Sequence, residues 1–442
     1  MKNEPKLEKN IGTFAAFSTI MGTVIGAGVF FKVSTVTAST RSASLTLWAW
    51  LIGGLLTICG GLTVAELAAA IPETGGAVKY LEKIYGKKAG FLLGWAQTLI
   101  YFPANIAALS MIFSTQVLNL FKFNNSWLIP TAILTGSSIT VMNIIGNRFS
   151  STLQSITLIV KLIPIALIII FGFSTTGTID INITPNHFLS STQLTGFGGG
   201  LLATLFAFDG WLGIGNIAGE LKNPKRDLPK VIGFGLIAIT IVYLLINFVI
   251  LKTLPINEIA KNPNAASLAA AHIFGKFGGK LITLGILISV YGAINGYTLT
   301  GIRVPYALAK ENLLPFSHYL KKISLKTSVP YYSGILQLFI AIVMMLLGSF
   351  DTLTDMLVFV MWIFSTLLFI GVIKLRRNNP SLPRPYKVPL YPVLPIIATI
   401  GGCFILATTV IAQPLLVLIG IVITCLGLPV YTLTKRLINR GT

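Results

Sequence analysis

Two short stretches of this sequence crowd glycine into apolar surroundings. The first, GTVIGAGVFF over 22–31, places Gly22, Gly26 and Gly28 within seven positions. The second, FAFDGWLGIG over 206–215, places Gly210, Gly213 and Gly215 beside an acid, Asp209. Glycine weakens a helix by about 1 kcal/mol relative to alanine. Gly22 and Gly26 alone spell GxxxG, a close-packing motif of membrane helices. Gly28 adds another free backbone position within one turn, which suits an unwound segment better than a packing face. Unwinding releases N–H groups at the start of one half-helix and C=O groups at the end of the other. The first attract a carboxylate and the second an ammonium. Two such breaks facing one another fit a zwitterion, and an amino acid is a zwitterion of that size.

Other polar residues lie near these stretches or deep in apolar ones. Lys161, in SSTLQSITLIVKLIPIALIIIFGF, is about 16 Å of helix from either end of its run. A lysine side chain snorkels about 6 Å, so this ammonium reaches no headgroup. Unpaired, it costs from about 2.5 to above 10 kcal/mol at that depth. It either ties helices together or acts as a fixed positive charge in the place of a sodium ion. In the second case it bonds to freed carbonyls of the first run and to polar groups of the eighth. Asp209 can accept from a substrate ammonium, pair with Lys161, or cap the second half of the broken helix; the following Gly210 and Trp211 favour the cap. Phe206, directly before the second break, is the aromatic best placed as a lid; Phe30, Phe208 and Trp211 read equally as packing. Tyr243 and Asn295 either serve the site or bond a neighbouring helix, and Gly22, Thr23 and Ala27 leave room for a small side chain. Glu66 reads as an interfacial charge bonding to loops, and Arg303 and Lys374 as orientation anchors.

The elements that position these residues follow from composition. Hydrophobic residues make up 54% of the chain and charged residues 10%, against roughly 25% charged in soluble domains. Twelve apolar runs recur, over about 11–37, 44–71, 89–116, 127–146, 150–174, 194–219, 229–251, 279–309, 330–349, 352–375, 389–412 and 414–434. Each is long enough to span a bilayer, and backbone in hydrocarbon is helical. The first run is too long and too broken by glycine for a cleavable signal. With the N-terminus inside, 25 of the 33 lysines and arginines fall in cytoplasmic segments. This positive-inside pattern accounts for the net charge of +20 through orientation and anionic lipid, with no nucleic acid as partner. Both termini are expected to be cytoplasmic in a cell-membrane protein. Cys59, Cys403 and Cys425 have no ligand spacing and read as small packing residues, so no metal is expected. His187, His272 and His318 sit in or beside loops without catalytic context, and no GxxxxGK[ST] loop is present. The short loops leave no room for a soluble catalytic domain, so neither an enzyme nor a cofactor is expected.

Runs 1 and 6 are both interrupted at mid-membrane, and each heads a set of five. The sets are 11–175 and 194–376, followed by two runs over 389–434, with tails at 1–10 and 435–442. Because five is odd, the second set crosses the membrane in the opposite sense. Paired broken helices in inverted halves point to a secondary-transporter site near the midplane.

The segments IGAGVF, AELAAAIPETGGAVKYLEKIYG, FAFDGW and AGELKNPKRDLPKVI together resemble the amino acid–polyamine–organocation superfamily. Within it the chain is most similar to bacterial members of the L-type amino-acid transporter family, such as serine/threonine and alanine–serine–cysteine exchangers. The resemblance implies an all-α membrane protein of twelve spans, with a LeuT-type 5+5 inverted repeat and broken helices 1 and 6. It implies sodium-independent exchange of small neutral L-amino acids by alternating access. Carried over residue by residue, substrate carboxylate binding falls on Ile25, Gly26, Ala27 and Gly28. The amine and the gate fall on Phe206, Ala207, Phe208 and Asp209, and the sodium-replacing lysine on Lys161. Tyr243 is a looser match to a tyrosine near the site. Two positions depart from the pattern: Asp209 stands where many members have glycine, and Ala293 where serine is frequent. Animal members carry a cysteine after span 3 that links a glycoprotein heavy chain. The loop NLFKFNNSW has none, so no heavy chain is expected. Proton-coupled symport, and a channel or non-transporting sensor, are the alternatives.

Overall fold

The computed structural model describes residues 12–71, 75–146, 153, 156–157, 160–174, 191–212, 222–324, 327 and 329–440. Among these the chain is helical with no strand. Eight helices are long and apolar enough to cross a membrane. Two shorter apolar helices, Leu162–Ser174 and Tyr331–Leu347, accompany them.

The first run is two helices, α1 (Thr13–Val24) and α2 (Gly28–Thr40), separated by bent backbone at 25–27. Neither piece spans a bilayer by itself, at 12 and 13 residues. Helix α3 (Ala43–Ala70) starts at Ser42, whose side chain accepts from the Leu45 amide and satisfies one of the orphan donors of the first turn. Between the second and third apolar runs lies helix α4 (Gly76–Tyr85). Helix α5 (Lys87–Phe121) contains a π-turn at Gln97–Tyr101. The turn directly precedes Pro103, which supplies no N–H to the helix ladder, and the added residue re-aims Tyr101.

Helices α6 (Leu128–Ile145), α7 (Leu162–Ser174) and α8 (Ser191–Ala207) follow. Helix α8 ends at the second break, where 208–210 form a turn and 211–212 a 3-10 turn. Gly213, Gly215 and the second half of that run lie outside the described residues, as do His187 and Arg148. Helix α9 (Pro224–Thr253) opens on proline, which suits a first turn with no carbonyl to meet. The eighth run begins earlier than its hydropathy suggested. Helix α10 (Ala265–Gly301) bends at Gly275 and is followed by α11 (Arg303–Lys310). Further along lie α12 (Tyr331–Leu347), α13 (Phe350–Asn378), α14 (Val393–Ala412) and α15 (Pro414–Cys425). The last element is α16 (Gly427–Arg440).

Packing places the two breaks together. Helix α8 lies along α2, and α3 runs along both α8 and α9. Helix α5 packs between α6, α10, α12 and α13. Of the three cysteines, Cys59 is half-buried, whereas Cys403 and Cys425 are exposed, so only the first serves packing. An apolar outer surface has no reason to bury a thiol when its solvent is lipid.

Candidate functional site

The two breaks cross at close quarters. A Cβ on Gly28 would stand 2.5 Å from the Ala207 Cα, so only glycine lets α2 begin there. Gly210 has φ +101°, and a Cβ on it would meet the Thr23 carbonyl oxygen at 3.0 Å. Each break thus rests on the end of the other helix. At Gly26 the situation differs: a Cβ would meet only the Val24 carbonyl oxygen, at 3.8 Å. Thr23 is exposed and Gly26, Asp209 and Gly210 are half-buried, amid neighbours that are buried. The break therefore opens onto accessible space.

Ending α1 at Val24 leaves carbonyls without helical donors. The Ile25 amide still donates to Met21 O at 3.0 Å, so it belongs to the helix, and freed amides begin at Gly26. The Gly22 carbonyl accepts from the Lys161 ammonium, which is buried. Val24 O lies 2.9 Å from the Tyr243 hydroxyl, and the same hydroxyl is 2.9 Å from Ala207 O. One proton is thus shared between the last carbonyls of α1 and α8, pinning both broken ends to α9. A cation at the negative end of a helix is electrostatically favoured, and here it sits on the carbonyl itself. On the amide side, the Ala27 carbonyl accepts from Phe30 and Phe31 at 3.0 and 3.3 Å to start α2. The amides of the first turn before these remain available to an anion.

Asp209 does not meet Lys161. Its carboxylate accepts from the Tyr101 hydroxyl at 2.6 Å and the Tyr297 hydroxyl at 3.1 Å. The capping expectation concerns residues beyond 212, outside the described residues. Asn295 is fully buried and accepts from Asn143 at 2.9 Å, linking α10 to α6. Phe208 packs into Trp50 and Tyr243 at 6.1 and 4.9 Å, a packing role.

Sequence reasoning missed a second cluster. Lys32, on α2 beyond the break, is completely buried. Its ammonium donates to Asp351 at 2.8 Å and to Thr354 at 2.7 Å, and lies 3.5 Å from Asp355. Gln413 donates to Asp355 at 2.9 Å. Phe206 stands edge-on to Phe350 at 5.8 Å, with the Lys32 ammonium 5.5 Å above its ring. The signal was present as a lysine in an apolar half-helix and two acids four residues apart, which share one helix face. Nothing local pairs them, since Lys32 and Asp351 are 319 positions apart.

Glu66 is buried rather than interfacial. It accepts both guanidinium bonds of Arg376, at 2.8 and 2.6 Å, and the Val388 amide at 2.8 Å. Arg384 adds a contact at 3.5 Å. Burial and the charge of Glu66 push the nearby Tyr386 phenol up to about 12. Lys374 lies over the Tyr85 ring at 4.4 Å, and Arg303 bonds the Leu299 carbonyl.

A helical bundle with interrupted helices, whose freed backbone is held by a buried lysine and a tyrosine, defines a membrane transport protein. The chain belongs to the amino acid permease family, whose model matches residues 11–429. It is 41% identical over 431 residues to a serine/threonine exchanger of Bacillus subtilis (strain 168), covering 97% of this chain and 98% of that one. It is 31% identical over 445 residues to the Asc-type amino acid transporter 1 of Mus musculus, covering 97% and 81%. The large neutral amino acids transporter small subunit 2 of Homo sapiens is 29% identical over 435 residues, covering 97% and 80%. The chain is thus a multi-pass membrane transporter rather than an enzyme.

Proposed function

We propose that the chain is a sodium-independent exchanger of small neutral L-amino acids of the alanine, serine, cysteine and threonine kind. Its halves, 11–175 and 194–376, form a 5+5 inverted repeat that works by alternating access. The observation that carries the reading is the Lys161 ammonium on the Gly22 carbonyl: a tethered cation fills the place where a mobile one would otherwise satisfy the broken helix. The substrate carboxylate lies at the amides of Gly26, Ala27 and Gly28, and its ammonium at the carbonyl end of α8. The names of the relatives support amino acids as cargo.

The conformation fits one stage of such a cycle. Lys32, Asp351, Asp355 and the Phe206–Phe350 pair close one side, while Thr23 and Gly26 remain accessible from the other. With the N-terminus cytoplasmic, the closed side is the outer one.

The deciding experiment is uptake of labelled L-serine or L-alanine into sodium-free proteoliposomes, empty or preloaded with unlabelled amino acid. Uptake only into preloaded vesicles is expected. Equal uptake into empty ones overturns obligatory exchange. In proton-coupled symport the buried Lys161 would lose and regain its proton, and a pH gradient imposed on empty vesicles tests it.

A further inference from the structure

Away from the breaks, a cavity of about 550 Å³ lies between the α4–α5 turn and α16. Lys87 and Lys88 line it from one element, Lys435 and Arg436 from the other, with Tyr85 and Tyr431 between them. No carboxylate is among its lining residues. Four like charges brought to one cavity repel, and an anion entering it relieves all four.

The convergence is built rather than accidental to a mobile tail. The Phe91 and Tyr431 rings pack 5.0 Å apart, and Phe91 stacks on Trp95 at 6.0 Å. The Trp95 indole donates to the Ile423 carbonyl at 2.9 Å. Gly427 completes the joint, since a Cβ there would stand 2.8 Å from the Trp95 ring. Tyr431 is buried, so this apolar joint fixes the first turns of α5 against α16 and sets the distance between the two basic pairs. On α16 the exposed Leu428 lies one turn before Tyr431 and Thr432, on the face that lines the cavity. A charged cavity with an exposed leucine on the same helix face matches a molecule with a phosphate and acyl chains.

We propose that this cavity binds the phosphodiester headgroup of an anionic glycerophospholipid, its chains leaving past Leu428. Placing it in the cytoplasmic leaflet rests on the orientation adopted above; the binding itself does not depend on exchange activity. Basic pockets between helices at that surface are the kind that hold phosphate headgroups.

The test is native mass spectrometry of the full chain titrated separately with phosphatidylglycerol, phosphatidylcholine and inorganic phosphate. Wild-type protein is expected to retain one phosphatidylglycerol saturably and to release phosphatidylcholine. Combined Lys87→Gln, Lys88→Gln, Lys435→Gln and Arg436→Gln is expected to weaken that retention at least tenfold. A charge-matched control, Lys222→Gln, Lys230→Gln, Lys310→Gln and Arg377→Gln, is expected to leave it unchanged. Replacing the three lysines by arginine restores retention if charge is the cause, which separates binding from misfolding. Equal loss in the control shows general surface attraction and overturns the site. Full displacement by inorganic phosphate at equal concentration shows a soluble anion and overturns the lipid.

Discussion

Lys161 and the glycines at the first break carry opposite kinds of information. The ammonium is needed for what it donates, and the glycines for what they lack. Lys161→Ala leaves the Gly22 carbonyl buried without its donor, at a cost of about 1–3 kcal/mol. Sodium-free exchange should fall at least tenfold, while the protein still purifies folded with a lowered Tm. Unchanged exchange would remove Lys161 from the mechanism. Gly26→Ala and Gly28→Ala should separate function from packing. The first adds a methyl to open space beside the amides, so substrate binding should weaken with the Tm nearly unchanged. The second drives a methyl into the backbone of α8, so the Tm should drop first. Thermal unfolding with and without saturating L-serine distinguishes the two. Identical behaviour of the pair would argue against ligand space at Gly26. GAG was visible in the sequence as a break; which glycine faces a ligand and which faces a helix was not, because that depends on where α8 ends.

Among the elements, α13 is held at both ends by charges that sequence separates widely. Asp351 and Asp355 meet Lys32 of α2 at one end, and Arg376 meets Glu66 of α3 at the other. Glu66 also anchors the 379–392 connection through the Val388 amide. A neutral amide cannot hold both the guanidinium and that N–H as a carboxylate does, and charge-assisted bonds are roughly twice as strong as neutral ones. Glu66→Gln should therefore open this connection locally, and trypsin should cut after Lys387, which precedes Val388, about tenfold faster in the native state. An unchanged cleavage rate would show that the connection is held by packing. Sequence placed Glu66 at a span end and bonded to loops, as its contacts with Val388 and Arg384 show, but missed its burial. Hydropathy reports depth along a helix and says nothing about which neighbours cover it.

For the molecule as a whole, the proposed alternating-access cycle makes the Lys32 cluster the contact that holds one side shut. Lys32→Gln leaves Asp351 and Asp355 on one face of α13 without the α2 cation that holds them, and losing that attraction favours separation of α2 from α13. In a background with Cys59, Cys403 and Cys425 replaced by alanine, Thr23→Cys should be labelled faster by an impermeant maleimide applied outside. No acceleration would show that the Lys32 cluster is structural. The sequence by itself determined that this chain lives in a membrane, that helix is interrupted at the glycines of run 1, and that it ends at the second break in run 6. These follow from composition and from glycine, which act locally. Only the tertiary structure decided that Tyr243 ties both breaks, that Asp209 rests on Tyr101 and Tyr297, and that Lys32 and Glu66 are buried in ion pairs. Each of those depends on packing residues dozens to hundreds of positions apart, and a partner's identity is not encoded in the residue that needs it.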